Sequence, residues 1–196
     1  SGRVIEPIVS RHRKKVNTLS IDPGRDWLLA SAGSDCLVQV YDVRKLHVAL
    51  ASFELPKASQ AAEFAPDGSS RLAVTCFDDR LRIYSLAHFD GAAAASTIKA
   101  AADTATSPTP LAIKHHTQTG RWVVPFRVTW TATADAVLVG GMKRTADMYD
   151  AATGNPLASL SSPELMTAIP SRNAAHPNGR AIAAATNSGR VHLYQA

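Results

Sequence analysis

The sequence predicts an all-β fold made of about four copies of one strand-turn-strand unit, and three observations predict it. Strands that end in an aromatic residue recur: Val38-Gln39-Val40-Tyr41, Leu81-Arg82-Ile83-Tyr84, Ala146-Asp147-Met148-Tyr149 and Val191-His192-Leu193-Tyr194. Their tyrosines stand 43, 65 and 45 residues apart; a four-stranded propeller blade repeats at about 40–45 residues. Turns recur with them, at Asp22-Pro23-Gly24, Ala65-Pro66-Asp67-Gly68 and His176-Pro177-Asn178-Gly179, where Pro and Gly supply the backbone angles that a tight reversal needs. The third observation is the stretch Trp27 to Asp42, which reads as strand, Gly-x-Asp turn and strand closed by an aromatic-Asp pair.

Taken in order, the first unit runs from His12 to Leu46. His12, the apolar alternation through Leu19 and Ile21, Pro23-Gly24, Gly33-Ser34-Asp35 and Tyr41-Asp42 together resemble one WD repeat, a single blade of a β-propeller. His12, Ser31 and Asp35 stand where such a blade places its buried hydrogen-bond relay, with Tyr41 at the fourth place, usually Trp. A Ser, a His and an Asp also make up a hydrolytic triad, but this Ser sits on no nucleophile elbow, so the group reads as scaffold. The second unit, 47–86, keeps Asp78 at the turn acid and Lys57 near the His position. Residues 87–125 lose the period. They include the Ala-rich stretch Gly91 to Ser96 and the Thr/Pro-rich stretch Asp103 to Pro110, read as a long surface loop with a short helix near Thr97 to Ala102. A hairpin turned by Thr119-Gly120 is expected to project Arg121 and Trp122. The third unit, 126–160, has Lys143 at the acid position, and the last, 161–196, has Ser188. Residues 1–11 read as a remnant of a preceding blade, and the chain as the C-terminal part of a longer propeller.

Composition narrows the functional classes. At 45% apolar and 19% charged residues, 196 residues are enough for a packed core rather than a disordered chain. No apolar run reaches membrane-spanning length. Cys36 and Cys76 offer no disulfide framework and are expected as reduced thiols of an intracellular protein. The net charge of +5 and pI near 9.5 favour a polyanionic partner. No phosphate-cradling Gly-rich loop, zinc-hydrolase helix motif or Cys-x-x-Cys is present, so no enzymatic role, cofactor or small-molecule substrate is expected. His115-His116 is read as a loop pair and not a metal site, because no acid or Cys lies at ligand spacing.

More specific segments follow. His12-Arg13-Lys14-Lys15-Val16-Asn17, Thr119-Gly120-Arg121-Trp122 with Phe126-Arg127 and Trp130, Val139-Gly140-Gly141-Met142, Asn173-Ala174-Ala175-His176-Pro177 and Asn187-Ser188-Gly189-Arg190 resemble the changed-mutation-rate family of WD-repeat proteins. Its animal members are called WD-repeat protein seventy-six. That family is similar to the small subunit of the UV-damaged-DNA-binding complex. The resemblance implies a seven-bladed propeller, of which about four blades are present, that is nuclear, binds DNA and acts in the DNA-damage response. The Ala-rich loop is a departure from that pattern. The candidate DNA contacts are Arg13, Lys14, Lys15, Lys57, His116, Arg121, Trp122, Lys143 and Arg144, cations for phosphate and an aromatic for an unstacked base. Tyr41, Asp42 and Arg44 resemble the aromatic-Asp-x-Arg box of cullin-4 ubiquitin ligase substrate receptors, in which Arg44 would reach the ligase adaptor. The alternative function is a protein-interaction scaffold, or such a receptor, without direct DNA contact; chromatin proteins are further candidate partners.

Overall fold

A computed structural model describes residues 12–45, 49–87, 109–120 and 122–195. The expected blade remnant at 1–11, the expected helix near Thr97 and Arg121 lie outside the described residues. The described residues form fifteen strands and no helix, arranged in four antiparallel sheets. The first sheet is β1 (Val16–Asp22), β2 (Arg25–Gly33), β3 (Leu37–Asp42) and β4 (Ala51–Glu54); the second is β5 (Ser59–Phe64), β6 (Arg71–Cys76), β7 (Arg80–Ser85) and β8 (Leu111–Lys114). The third is β9 (Thr129–Trp130), β10 (Ala136–Gly141), β11 (Thr145–Asp150) and β12 (Pro156–Leu160); the last has three strands, β13 (Pro170–Ala175), β14 (Ala181–Thr186) and β15 (Val191–Gln195). Each sheet is a meander, the blade architecture of a partial WD-type β-propeller.

Two unit boundaries shift from those the tyrosine spacing suggests. Ala51–Glu54 completes the first sheet by pairing Val38 with Phe53, so the first blade runs past residue 46. Leu111–Lys114, expected within the long loop, pairs with β7 instead (Leu81 opposite Ile113). The outer strand of a blade is short and carries neither the Pro-Gly turn nor the terminal aromatic, so the repeat signal passes over it. The insertion therefore lies between the third and fourth strands of the second blade. At Thr119-Gly120 the expected hairpin forms no ladder among the described residues; Gly120 takes a left-handed turn (φ 66°).

The core sits between blades rather than within them. Leu28, Val38, Val40, Phe53, Leu72 and Leu86 are among the residues joining the first two sheets, and Phe53 stacks on Tyr84 at 4.4 Å. Phe126, Val128, Trp130, Val137 and Val139 lead the second cluster. The third is small: Ala146, Met166 and Ala184. Polar side chains add stitches between neighbouring blades. The hydroxyls of Thr18 and Ser20 on β1 accept the amides of Ala62 and Phe64 on β5, and Thr75 accepts the amide of Val128. These bonds satisfy amides that no strand ladder pairs. Backbones also approach closely. A Cβ on Gly24 would lie 2.6 Å from the Gly68 carbonyl oxygen, and one on Gly140 would lie 1.9 Å from that of Pro170.

Candidate nucleic-acid interface

Antiparallel meanders decide which residues can share a surface. Every β2–β3-type turn, and every segment leading into a first strand, ends up on the same rim, here called the upper rim. Backbone bonds show the juxtaposition repeating: Ser34 N to Lys15 O, Phe77 N to Ala58 O and Asn187 N to Ile169 O. The four upper turns share a backbone. Cys36, Asp79, Arg144 and Gly189, at the same place in each, all have positive φ (69°, 60°, 63° and 79°). Only the last uses Gly, so three turns hold a side-chain-bearing residue in the left-handed region, where such residues are uncommon.

The first blade closes its turn with the relay. The His12 imidazole bonds Asp35 through Nδ1 (2.9 Å) and Ser31 through Nε2 (2.8 Å), and the Arg13 amide donates to the same carboxylate (2.7 Å). Burial pushes the Asp35 carboxyl up, but the hydrogen bonds from His12 and Arg13 outweigh it and hold it below the usual range. Tyr41 is buried and its hydroxyl donates to the Gln39 side chain. In the second blade Asp78 turns inward to an ion pair with Arg82, and burial is again outweighed by that partner. The neighbouring Asp79 takes over the tethering: it accepts the Thr117 amide (2.9 Å), while its own amide donates to the Thr117 hydroxyl (3.1 Å).

Trp122 lies 89% exposed on this rim, the most exposed large apolar residue described. Arg13, Lys14, Lys15, Lys57, His116, Lys143 and Arg144 are all solvent-exposed on the same rim. His116 stands 4.0 Å from Asp79, and His116 and Lys143 line a common cleft of about 690 Å³ with His115, Asp147 and Tyr149. Sequence adjacency misleads at the His pair. His115 points inward, bonded to the Gly140 carbonyl and the Tyr149 hydroxyl (2.9 Å each), and burial pulls its pKa down. Among the described residues no three His, Cys, Asp or Glu side chains cluster to hold a metal. Cys76 is buried and free, donating to the Lys57 carbonyl, with its thiol pushed up to about 11 chiefly by desolvation.

The opposite rim carries Asp42 and Arg44. Arg44 pairs with Asp42 (2.8 Å) and lies over the Trp27 ring at 4.3 Å, with 57% of its side chain exposed. Its hydrogen bond holds the Asp42 carboxyl below the usual range against burial. Of the Tyr41-Asp42-Arg44 box, Tyr41 and Asp42 are buried and only Arg44 is exposed.

Sequence reasoning missed a set of bulge residues on the upper rim. The register slips at Asn17, Gln60 and Ser171, the second residue of β1, β5 and β13, and bulges re-aim side chains. Asn17 reaches the Ser59 carbonyl (2.7 Å), Gln60 the Thr117 carbonyl (3.1 Å) and Ser171 the side chain of Asn187 (3.2 Å). Aligning the units on their tyrosines puts a polar residue at this place in the first two blades, Asn17 and Gln60, each 24 residues before its tyrosine, while Ser171 stands one place off, 23 before Tyr194.

Residues 5–42 match the family model described as WD domain, G-beta repeat. The chain is 27% identical over 201 residues to WD repeat-containing protein 76 of Rhinolophus ferrumequinum, covering 98% of this chain and 29% of that protein. It is 29% identical over 189 residues to DNA damage-binding protein cmr1 of Aspergillus terreus (92% of this chain, 34% of that protein). It is also 29% identical over 187 residues to DNA damage-binding protein 2 of Mus musculus (88% and 39%). The chain thus spans about a third of the length of the curated relatives it matches. The described residues thus form blades of a partial WD-type β-propeller, and the chain is similar over most of its length to WD repeat-containing protein 76 and to the DNA damage-binding proteins.

Proposed function

We propose that this chain belongs to a nuclear DNA-binding protein of the DNA-damage response, and that its upper rim contacts damaged duplex. One observation carries the reading: Trp122 stands 89% exposed on the rim that also presents Arg13, Lys14, Lys15, Lys57, Lys143 and Arg144. An indole held in water costs apolar exposure, which a soluble protein recovers when a partner covers it. Beside cations, the partner that suits it is an unstacked base flanked by phosphates. The names of the relatives, DNA damage-binding protein among them, support the same reading. Lys14 and Lys15 would supply phosphate attraction without sequence selectivity, and Trp122 would wedge or stack where a lesion has loosened the duplex.

The test is affinity and stability on the same variants. Trp122→Ala is expected to weaken damaged-duplex binding by about 1–3 kcal/mol while leaving the unfolding midpoint in place. Replacing Arg13, Lys14 and Lys15 together by Ala is expected to lower the salt slope by about 0.9 per lost phosphate contact, for every sequence alike. Wild-type-like binding by both variants would overturn the assignment.

A second reading rests on the opposite rim. Arg44, stacked on Trp27 and paired with Asp42, is a preorganised guanidinium suited to a ligase adaptor. This reading makes the chain a substrate-receptor scaffold. It expects Arg44→Ala to abolish adaptor capture and leave duplex binding untouched.

A further inference from the structure

The inner mouth of the upper rim holds two arginines that form no ion pair among the described residues. Arg172 follows the bulge at Ser171, where pairing passes from Pro170–Thr186 to Arg172–Ala185. Its Nη1 donates to the carbonyls of Pro125 and, at 2.9 Å, Ser171. Arg127 lies two residues beyond Pro125, and its Nη2 donates to the Asn17 carbonyl (3.3 Å). Arg127 thus rises from the short segment whose first carbonyl, that of Pro125, Arg172 grips, and carbonyl oxygens anchor both guanidinium groups. Among the described residues, neither has a carboxylate oxygen within 4 Å. Burial, and then repulsion from Arg127, pulls the Arg172 pKa down.

One acid stands near the pair without an ion pair to it. Glu63, the acid that feels Arg127, accepts a bond from the Thr129 hydroxyl (3.3 Å), and burial pushes its carboxyl up. It lines a cleft of about 380 Å³ with Thr129, Trp130 and Asn173, and both polar side-chain atoms of Asn173 are buried without a partner. The mouth is also wired to Trp122. Ser171, next to Arg172, donates to the Asn187 side-chain oxygen, and the Asn187 amide donates to the Trp122 carbonyl (3.1 Å).

A like charge near a partly desolvated Arg172 raises the free energy of the empty protein, and an anion recovers it. A guanidinium fork matches a phosphate oxyanion, and a like-charged pair with carbonyl anchors fits nothing cationic. We propose that Arg127 and Arg172 form a phosphate clamp at the inner mouth of the upper rim, fixed in position relative to Trp122. The identification of the phosphate as a DNA phosphodiester rests on the proposed function; the oxyanion site itself does not.

Two measurements on the full chain test the clamp and separate its fate from that of DNA binding. The first is the melting temperature in inorganic phosphate against chloride at matched ionic strength. The second is the salt dependence of binding to a short duplex. Phosphate is expected to raise the melting temperature of the wild type saturably. Arg127→Gln with Arg172→Gln is expected to abolish the rise, and Arg172→Lys to keep part of it. On duplex, the double variant is expected to lose about 2 from the salt slope, about 0.9 per contact. Because Arg172 braces the Pro125 carbonyl, Arg127→Gln alone, at an exposed residue, serves if the double variant does not fold; half the effect is then expected. An equal phosphate response in wild type and variants overturns the clamp. A phosphate response that needs the arginines, in a protein that binds no duplex, overturns the DNA reading and leaves a site for free phosphate. Duplex binding with an unchanged slope overturns the phosphodiester assignment.

Discussion

The first and third blades solve one problem with opposite chemistry. Each needs a histidine to tie the segment entering the blade to the blade itself. In the first, His12 lies between a turn carboxylate and a strand hydroxyl, Asp35 and Ser31. In the third, Lys143 occupies the turn position that Asp35 fills. His115 instead bonds the Gly140 carbonyl and the Tyr149 hydroxyl, with its nearest carboxylate, Asp147, at 3.8 Å. The first tie is charge-assisted. The second is a neutral imidazole in an apolar site, its ring 6.1 Å from that of Phe126. Moving the acid out of the turn frees the turn to carry Lys143 and Arg144, both exposed on the candidate DNA rim. The difference teaches that a blade can lose its relay pattern and keep the relay's purpose, releasing the turn to carry exposed cations.

The largest break in this comparison is expected at His115. His115→Ala removes a buried ring and leaves the Gly140 carbonyl and Tyr149 hydroxyl without their partner. Cavity and desolvation together are expected to cost about 3 kcal/mol, read as a shift in the urea midpoint at constant m-value. A loss below about 1 kcal/mol would mean that His115 only fills space. Asp35→Ala is expected to cost less, about 2 kcal/mol, because it removes a smaller side chain than the His115 ring and leaves a smaller cavity. If Asp35→Ala proves the more damaging, the charge-assisted tie is the stronger one and the ordering of the two blades reverses.

Much of the architecture was legible in the sequence because it is written in repeats. The tyrosines, the Pro-Gly turns and the alternation of the second and third strands announce blades, and the first blade's His12, Ser31 and Asp35 sit as their order implies. The outer strands β4 and β8 were not legible: four residues pairing on one side leave little pattern, and the second is separated from its sheet by the insertion. The rim placement of Arg13, Lys57 and Lys143 follows from meander topology once the blades are recognised. The roles of His115, Arg127 and Arg172 do not. Each depends on a contact with a residue at least 25 positions away in sequence, such as His115 with Gly140 or Arg127 with Asn17, and no local pattern encodes such contacts. Asp78 shows the limit from the other side: the turn acid is where the repeat puts it, yet it pairs with Arg82 and the tether passes to Asp79.

The smallest expected effect sharpens the comparison through pH. Burial lowers the His115 pKa in the folded chain, so the fold favours the neutral ring. A histidine in the unfolded chain titrates near about 6.5. Between that value and the lower folded one, the unfolded state binds the extra proton, so stability must fall as pH falls. The His115 contribution is intact above about pH 7 and is drawn down below about 6.5, by at most about 1.4 kcal/mol per pH unit. Asp35 behaves differently: its folded pKa lies below the ordinary value, so its contribution persists until the pH drops below about 4. Urea midpoints of wild type and His115→Gln, measured from pH 7.5 to 5.5, isolate the first window, because every other titrating group is common to both. The wild type is expected to lose more than the variant over that range, by at most about 1.4 kcal/mol per pH unit. Parallel curves would show that the His115 ring takes up a proton in place, which would make the third blade's tie as charged as the first and erase the contrast between them.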